Sequence, residues 1–292
     1  MPSPTVIKVF CRELLVNRTA QRETEPDLVM DDPEKVSAYT RAGREDGVMA
    51  PVYLFHCAQI CEVIKPGDTV LDLGCGPATQ LAMVARLNPE TSFIGMDLSG
   101  EMLGKARAYA EQQNLTNIEF RQGDITHLAS LADSSIDAVM STVVLHHLPD
   151  LAALERTFTE IKRVLKPGGG LYLVDFGHLK SEKSIHDFAY QYTDRQAELF
   201  TLDYLYSLRA AFWPEDFSFL HLQHLAHIGN FYKTFVMPYM IVIKSPSRRE
   251  IDPVLREQLQ KLKHAMPGYH QTDLKDLRLF FRLGGLKSAF LS

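Results

Sequence analysis

Two rhythms of apolar and polar positions alternate along the chain. Val70, Leu71 and Leu73 form a short apolar run, which predicts a buried strand, and Gly74 and Gly76 interrupt it. Leu81, Ala82, Val84, Ala85 and Leu87 then follow at helical spacing. The same succession recurs downstream. Strands are predicted at Ser92–Asp97, Ile118–Gln122, Ile136–Thr142 and Leu171–Val174, with helices between them from Gly100 to about Gln113 and from Asp150 to Leu165. Ser99 is placed to cap the first of these helices, and Lys166-Pro-Gly-Gly-Gly170 to end the second. Polar residues gather where the strands end: Asp97, Gly123-Asp124, Ser141-Thr142, His146-His147 and Asp175. Strand and helix in alternation predict a doubly wound, mostly parallel α/β sheet with ligands outside its carboxyl edge.

The flanks follow other patterns. Residues 4–15 predict a short helix, and residues 16–31 read as polar loop. Asp32-Pro33-Glu34 is a helix start, with Asp as cap, Pro in the first turn and Glu near the positive end of the dipole; that helix carries Tyr39 and fades at Gly43. A further helix over Val48–Ile64 places Tyr53, Leu54, Cys57, Ile60, Cys61 and Ile64 on an apolar face. Beyond the fifth strand, residues 181–244 hold half of the chain's aromatic side chains, among them Phe188, Tyr190, Tyr192, Tyr204, Tyr206, Phe212, Trp213 and Phe217. They predict helices roofing an apolar acceptor pocket or packing a small core of their own. Tyr239–Lys244 reads as the last strand, with Phe231–Val236 as an antiparallel neighbour. Two helices, at about 252–265 and 272–283, carry a tail rich in Lys and Arg, whose Leu255, Leu259 and Leu262 would dock on the sheet or on a second subunit. The chain thus divides into an N-terminal helical lid segment (1–65), a core (66–244) with a helical cap at about 181–230, and a C-terminal helical extension (245–292).

Charge and composition narrow the function. A net charge of −5 gives no electrostatic footprint for nucleic acid or an anionic membrane. No apolar run approaches the roughly 20 residues of a membrane span. The first residues lack a signal-peptide core, and the four cysteines form no CxxC pair, so a cytoplasmic protein without a zinc site or disulfide framework is expected.

The glycine turn is the first chemical signal. Thr79 stands where a dinucleotide fingerprint has its third glycine, and the Lys-Ser/Thr pair of a P-loop is missing, so the turn admits an adenosine-bearing ligand but makes a poor pyrophosphate cradle. Asp97, 21 residues past Gly76 at a strand end, is placed to accept from both ribose hydroxyls. Asp124 can accept from an adenine amine, with Ile125 packed on the ring.

Together, Val70-Leu-Asp-Leu-Gly-Cys-Gly76, Gly95-Met-Asp97-Leu-Ser, Gly123-Asp124-Ile125, Leu145-His-His-Leu and Arg163-Val-Leu-Lys-Pro-Gly-Gly169 resemble the class I S-adenosylmethionine-dependent methyltransferases, particularly the small-molecule branch that includes quinone-biosynthesis enzymes. The resemblance implies a seven-stranded sheet whose last strand runs antiparallel, and S-adenosylmethionine as cofactor. It sets Gly74 and Gly76 beside the methionine portion and Asp97 on the ribose. Leu98 and Met102 would flank the adenine, Asp124 and Ile125 would hold it, and Thr142 would line the sulfonium side.

For catalysis, either His146 or His147 could take a proton from an acceptor hydroxyl or amine, with the resemblance favouring His147, while the other reading has one of them bonding local backbone to shape the loop; Tyr39 would close over the donor. Met49, Tyr53, Asp175 and His178 are lesser candidates. His221, His224 and His227 share one helical face without a carboxylate or thiol at ligand spacing, so no metal is assigned to them. The expected function is methyl transfer to a small, partly apolar acceptor. The alternatives are a donor-binding regulatory or scaffold module without turnover, or a nucleic-acid methyltransferase, which the acidic charge and the missing Asn/Asp-Pro-Pro-aromatic tetrapeptide disfavour. A nicotinamide dehydrogenase is disfavoured by Thr79 and by Gly123-Asp124.

Overall fold

The computed structural model describes residues 3–26, 32–43 and 47–291. Its centre is a seven-stranded sheet of β1 (Thr69–Leu73), β2 (Ser92–Asp97), β3 (Ile118–Gln122), β4 (Ile136–Thr142), β5 (Leu165–Phe176), β6 (Asn230–Lys233) and β7 (Met240–Lys244), in the order β3-β2-β1-β4-β5-β7-β6. The first five strands are parallel, and β7 runs antiparallel between β5 and β6. Strand order reverses between β1 and β4, which opens a crevice above their carboxyl ends.

Helices α4 (Thr79–Leu87), α5 (Gly100–Gln112) and α6 (Leu151–Val164) connect the parallel strands. The hydroxyl of Ser99 accepts from the Met102 N–H and the carboxylate of Asp150 accepts from the Ala153 N–H, so α5 and α6 begin with side-chain caps. α2 (Pro33–Gly43) starts as its sequence predicts, because Oδ1 of Asp32 accepts from the N–H groups of Glu34 and Lys35. Two expectations change. Lys166–Gly170 lies within β5: Ile136 of β4 pairs with Leu165, Ala138 pairs with Gly170, and the Pro-Gly-Gly run bulges out between the two pairs. β6 ends at Lys233, and Val236 takes a φ of +63° in the turn toward β7.

Apolar layers cover both faces of the sheet. On one face, α3 (Ala50–Val63) is buried along nearly its whole circumference, in a layer that also includes Val9 from α1 (Pro4–Leu15). α10 (Pro253–Ala265) and α11 (Gly268–Leu283) complete this layer, where Leu255 and Leu259 are buried, so the tail's leucine seam docks within its own chain. The segments outside residues 66–244 therefore share one core with the sheet. The other face packs against α6 and α9 (Pro214–His224). α7 (Glu182–Ala189) and α8 (Glu198–Ala210) precede α9 in the segment that follows β5. No helix of the described residues is long and apolar enough to cross a membrane.

Candidate active site

A cavity of about 260 Å³ opens above the carboxyl ends of β1 to β4. The chain turns out of β1 through Gly74 (φ +71°) and Gly76 (φ +51°). A Cβ at Gly74 would stand 2.2 Å from a methyl of Val144, whereas one at Gly76 would meet nothing within 4 Å and would fill the cavity itself. The turn is thus a bare backbone cradle. Asp97 faces it from the end of β2: Oδ2 accepts from the Gly76 N–H (2.8 Å) and Oδ1 from the Ser99 N–H (2.9 Å). Each oxygen retains acceptor capacity. Burial raises the Asp97 carboxyl above its ordinary value, against the pull of these N–H donors. Beneath it Asp72, on β1, is pushed up to about 8 by burial and by the charge of Asp97.

Leu98, Met102, Gly123, Asp124 and Ile125 complete an apolar slot with one carboxylate, and Oδ1 of Asp124 also accepts from the Thr126 N–H (2.7 Å). This wall suits a purine, and Asp97 suits its ribose, so the residues present fit an adenosine-bearing donor. Among the sequence-derived candidates, Tyr39, Gly74, Gly76, Asp97, Leu98, Met102, Asp124, Ile125 and His147 all border the cavity. Thr142 does not. Val143 has a φ of +58°, so the chain turns as it leaves β4 and presents Val143 and Val144 instead, leaving the Thr142 hydroxyl buried without a hydrogen-bond partner.

Two further spaces adjoin the first. A small one of about 20 Å³ shares Tyr39, Val143 and His147 with it and adds His146 and Asp203. An inner chamber of about 100 Å³ shares Met49, Phe176, Phe200 and Tyr204 with the small one and reaches Phe188, Tyr192 and Tyr239. The cap aromatics therefore divide. Phe188, Tyr192 and Tyr204 line the chamber, while Phe212 and Phe217 pack in the core and Trp213 lies between Arg18 and His178. The phenol oxygens of Tyr39 and Tyr53 stand 3.4 Å apart, and burial raises the Tyr39 phenol well above its ordinary value.

The histidine loop is held from an unexpected direction. Residues 16–26 are irregular, as their polarity predicts, but they form a strap across the site. The Arg22 guanidinium donates to the carbonyls of His146, Leu148, Pro149 and Ala210 and lies over the Phe212 ring. Glu25 then places Oε2 2.7 Å from Nδ1 of His147 and accepts from the Ser207 hydroxyl (2.8 Å) at Oε1. Burial resists ionisation of Glu25, but His147 outweighs it and holds the carboxyl at about 2. Burial likewise resists protonation of His147, and Glu25, with Asp175 and Asp203 behind it, raises the imidazole above its ordinary value. Asp203 is raised to about 6 by burial and by Glu25. His146 is bonded to Asp175 through Nδ1 (2.7 Å).

His178 turns away, with Nδ1 2.7 Å from the carbonyl oxygen of Leu179. His221 bonds the carbonyl of Gly229, and His224 pairs with Glu155. Glu25 was invisible to sequence reading, because an isolated acid in a polar stretch carries no motif. Its only signal is that it follows Arg22, a cation in a segment able to cross the sheet edge.

Residues 64–206 match the model of a methyltransferase domain. The chain is 39% identical over 113 residues to an arsenite methyltransferase of Halobacterium salinarum, spanning 38% of this chain and 28% of that protein. It is 38% identical over 107 residues to a trans-aconitate 2-methyltransferase of Deinococcus radiodurans, spanning 37% of each. Among solved structures it resembles the plantazolicin methyltransferase BpumL in complex with SAH, with a TM-score of 0.55, 19% identity and coverage of 82% of this chain and 88% of that one; this likeness is one of fold. The matched region spans less than half the length of these two curated relatives. The parallel sheet with its antiparallel β7, the glycine cradle facing Asp97, and the domain match agree: residues 64–206 are a methyltransferase domain of the class I S-adenosylmethionine-dependent kind.

Proposed function

We propose that the chain transfers a methyl group from S-adenosylmethionine to a small, partly apolar acceptor by direct displacement. One observation carries this reading: a narrow space shares Tyr39, Val143 and His147 with the first cavity and Met49, Phe176, Phe200 and Tyr204 with the aromatic chamber. Gly74 and Gly76 would border the methionine portion, Asp97 would accept from the ribose, and Leu98, Met102, Asp124 and Ile125 would hold the adenine. The bound cofactor supplies an electrophilic methyl on a sulfonium. The protein's part is to align the acceptor with that methyl and exclude water, and alignment of this kind accounts for much of the rate in displacements. Tyr39 separates the two spaces and stays a neutral phenol, so its role is steric closure. His147, ion-paired with Glu25, offers its charge and its proton at the junction.

A chamber walled largely by aromatic and apolar side chains and a net charge of −5 favour a small molecule over nucleic acid as acceptor. Relatives named for arsenite and trans-aconitate are consistent with a small acceptor without choosing one. The free cysteines Cys11, Cys57, Cys61 and Cys75 favour a cytoplasmic location. Calorimetric titration with S-adenosylmethionine, S-adenosylhomocysteine and NAD tests the donor. Micromolar binding of the two sulfur nucleosides and none of NAD is expected, and absence of binding by both nucleosides would refute the reading. Donor binding with no methylated product across a broad acceptor screen would instead favour a module without turnover.

A further inference from the structure

The aromatic chamber carries charge of one sign. Asp273 and Asp276 line it, and among the described residues no Lys, Arg or His does. Both carboxylates lie on α11, one turn apart, on a face that Leu277 and Phe280 continue into the chamber. Neither lines the narrow space that holds Tyr39 and His147, so they belong to the part of the chamber outside that junction. Asp273 is already engaged. Arg195 pairs with it at 3.1 Å and lies over the ring of Tyr192, whose hydroxyl donates to the same carboxylate at 3.3 Å. A carboxylate beside an aromatic face thus holds one cation at the chamber's edge. Asp276 has no hydrogen bond or ion pair among the described residues, and burial raises its carboxyl above its ordinary value.

Two amide oxygens extend the pattern. Oε1 of Gln191 and Oε1 of Gln196 are buried without a hydrogen-bond partner, and both residues line the chamber. The Gln196 amide has a defined orientation. Its Nε2 lies 2.7 Å from the Thr201 hydroxyl and 3.4 Å from the carbonyl oxygen of Ala189, which can only accept. Asp276 and the two amide oxygens are therefore unpaired groups that accept and do not donate.

We propose that the chamber recognises the acceptor by a protonated primary or secondary alkylamine, with Asp276 as its counterion. This rests on the methyl-transfer reading above. An ammonium supplies what the lining lacks: positive charge for Asp276 and N–H donors for the amide oxygens. Phe188, Phe200, Tyr204 and Tyr239 wall the space, and aromatic faces attract a cation most strongly where water is displaced. An anion would meet Asp276 with like charge. A hydrocarbon would cover the amide oxygens without pairing them. Volume sets the size: the chamber measures about 100 Å³, several times a water's share of about 30 Å³ and short of the cavity of about 150 Å³ that holds benzene. An aliphatic ammonium of a few heavy atoms suits that space better than a ring. The amine is a handle, and the reacting atom belongs to the part of the acceptor that extends past Phe200 and Tyr204, which line both spaces, toward Tyr39.

Methyl NMR of the full chain labelled at methionine tests this, because Met49, Met237 and Met240 line the chamber. The probes are butylammonium, butan-1-ol and butyrate, similar in shape and different in head group. The three methyl signals, assigned by Met→Leu substitutions, should move saturably with butylammonium. Its affinity should exceed that of butan-1-ol by at least about tenfold, the value of one charge-assisted contact, and butyrate should leave the signals unmoved. Equal affinity for amine and alcohol overturns the proposal, and so does a response to butyrate. Asp276→Asn should cut butylammonium affinity by about tenfold with butan-1-ol unaffected, whereas Asp276→Glu should keep the preference. An Asp276→Asn protein that still prefers the amine overturns the counterion assignment. None of these readings needs the donor. Failure of the unmodified protein to bind S-adenosylhomocysteine would strike the methyl-transfer reading and leave the amine result standing, while donor binding without amine preference would strike this proposal alone.

Discussion

Oε2 of Glu25 lies 2.7 Å from Nδ1 of His147 although 122 positions separate the two residues. The contact ties the strap of residues 16–26 to the loop after β4, and both partners respond electrically: Glu25 is held at about 2 and His147 is raised. The depressed Glu25 contributes stability that is present above its ordinary value of 4.5 and is lost as pH falls toward 2. The raised His147 contributes stability that is full below its ordinary value of 6.5 and is lost as pH climbs through its folded value. The pair is therefore most stabilising between 4.5 and 6.5. Glu25→Gln should lose on the order of 2 kcal/mol in that window and less on either side. Thermal denaturation of both proteins against pH measures this, and a deficit that does not vary with pH would reduce the contact to packing.

Asp97 joins the glycine cradle's backbone to the proposed donor site. Asp97→Ala removes an acceptor for two backbone N–H groups and the proposed charge-assisted contact to the ribose. A loss of about 1.5–3 kcal/mol in donor binding is expected. Asp97→Asn should be milder, since one side-chain oxygen can still accept. Calorimetric titration with S-adenosylhomocysteine distinguishes the two, and an unchanged affinity in Asp97→Ala would remove the residue from the ribose.

The glycine cradle makes a sterically explicit prediction. Gly74→Ala would set a Cβ 2.2 Å from a Val144 methyl and hold a side chain at φ +71°. Donor binding should fall by at least about tenfold, with a stability loss of about 1–3 kcal/mol from the backbone alone. Adding Val144→Ala removes both methyls but leaves the Val144 Cβ at 2.9 Å and the dihedral unchanged, so the double variant should recover only partly. Full recovery of binding would mean that the glycine serves space and not conformation.

These residues mark what the sequence made legible. Strands, caps and glycine turns follow from neighbours within a few positions, so β1 to β4, the Ser99 and Asp150 caps and the Asp97 position are readable from local pattern. Thr142 failed for a local reason that hydropathy cannot express: the positive φ of Val143 turns the chain and carries the next two side chains into the cavity. β5 extends past its apolar run because a Pro-Gly-Gly bulge is tolerated once Leu165 pairs with Ile136. Glu25 and the partner of His146 were beyond reach altogether. Each depends on a contact made across the fold, to His147 in one case and to Asp175 in the other.

Tyr39 offers the sharpest separation of shape from chemistry. Its ring borders both the donor cavity and the space leading to the aromatic chamber, and its hydroxyl makes a long contact of 3.4 Å to Tyr53. If the ring acts by closing the junction, Tyr39→Phe retains the wall and loses little, so kcat should stay within about threefold of the parent, as befits one weak hydrogen bond. Tyr39→Ala opens the junction to water and lets the acceptor drift from its line of attack. A fall in kcat of about tenfold to 100-fold is expected, because small misplacements in such a step have effects of that order. Donor affinity should change less than kcat in both variants, since the residues proposed to hold adenine and ribose lie elsewhere in the cavity. Steady-state kinetics beside donor calorimetry on the two variants decides the matter. Equal damage from Phe and Ala would assign the work to the hydroxyl, and equal activity would remove Tyr39 from the site.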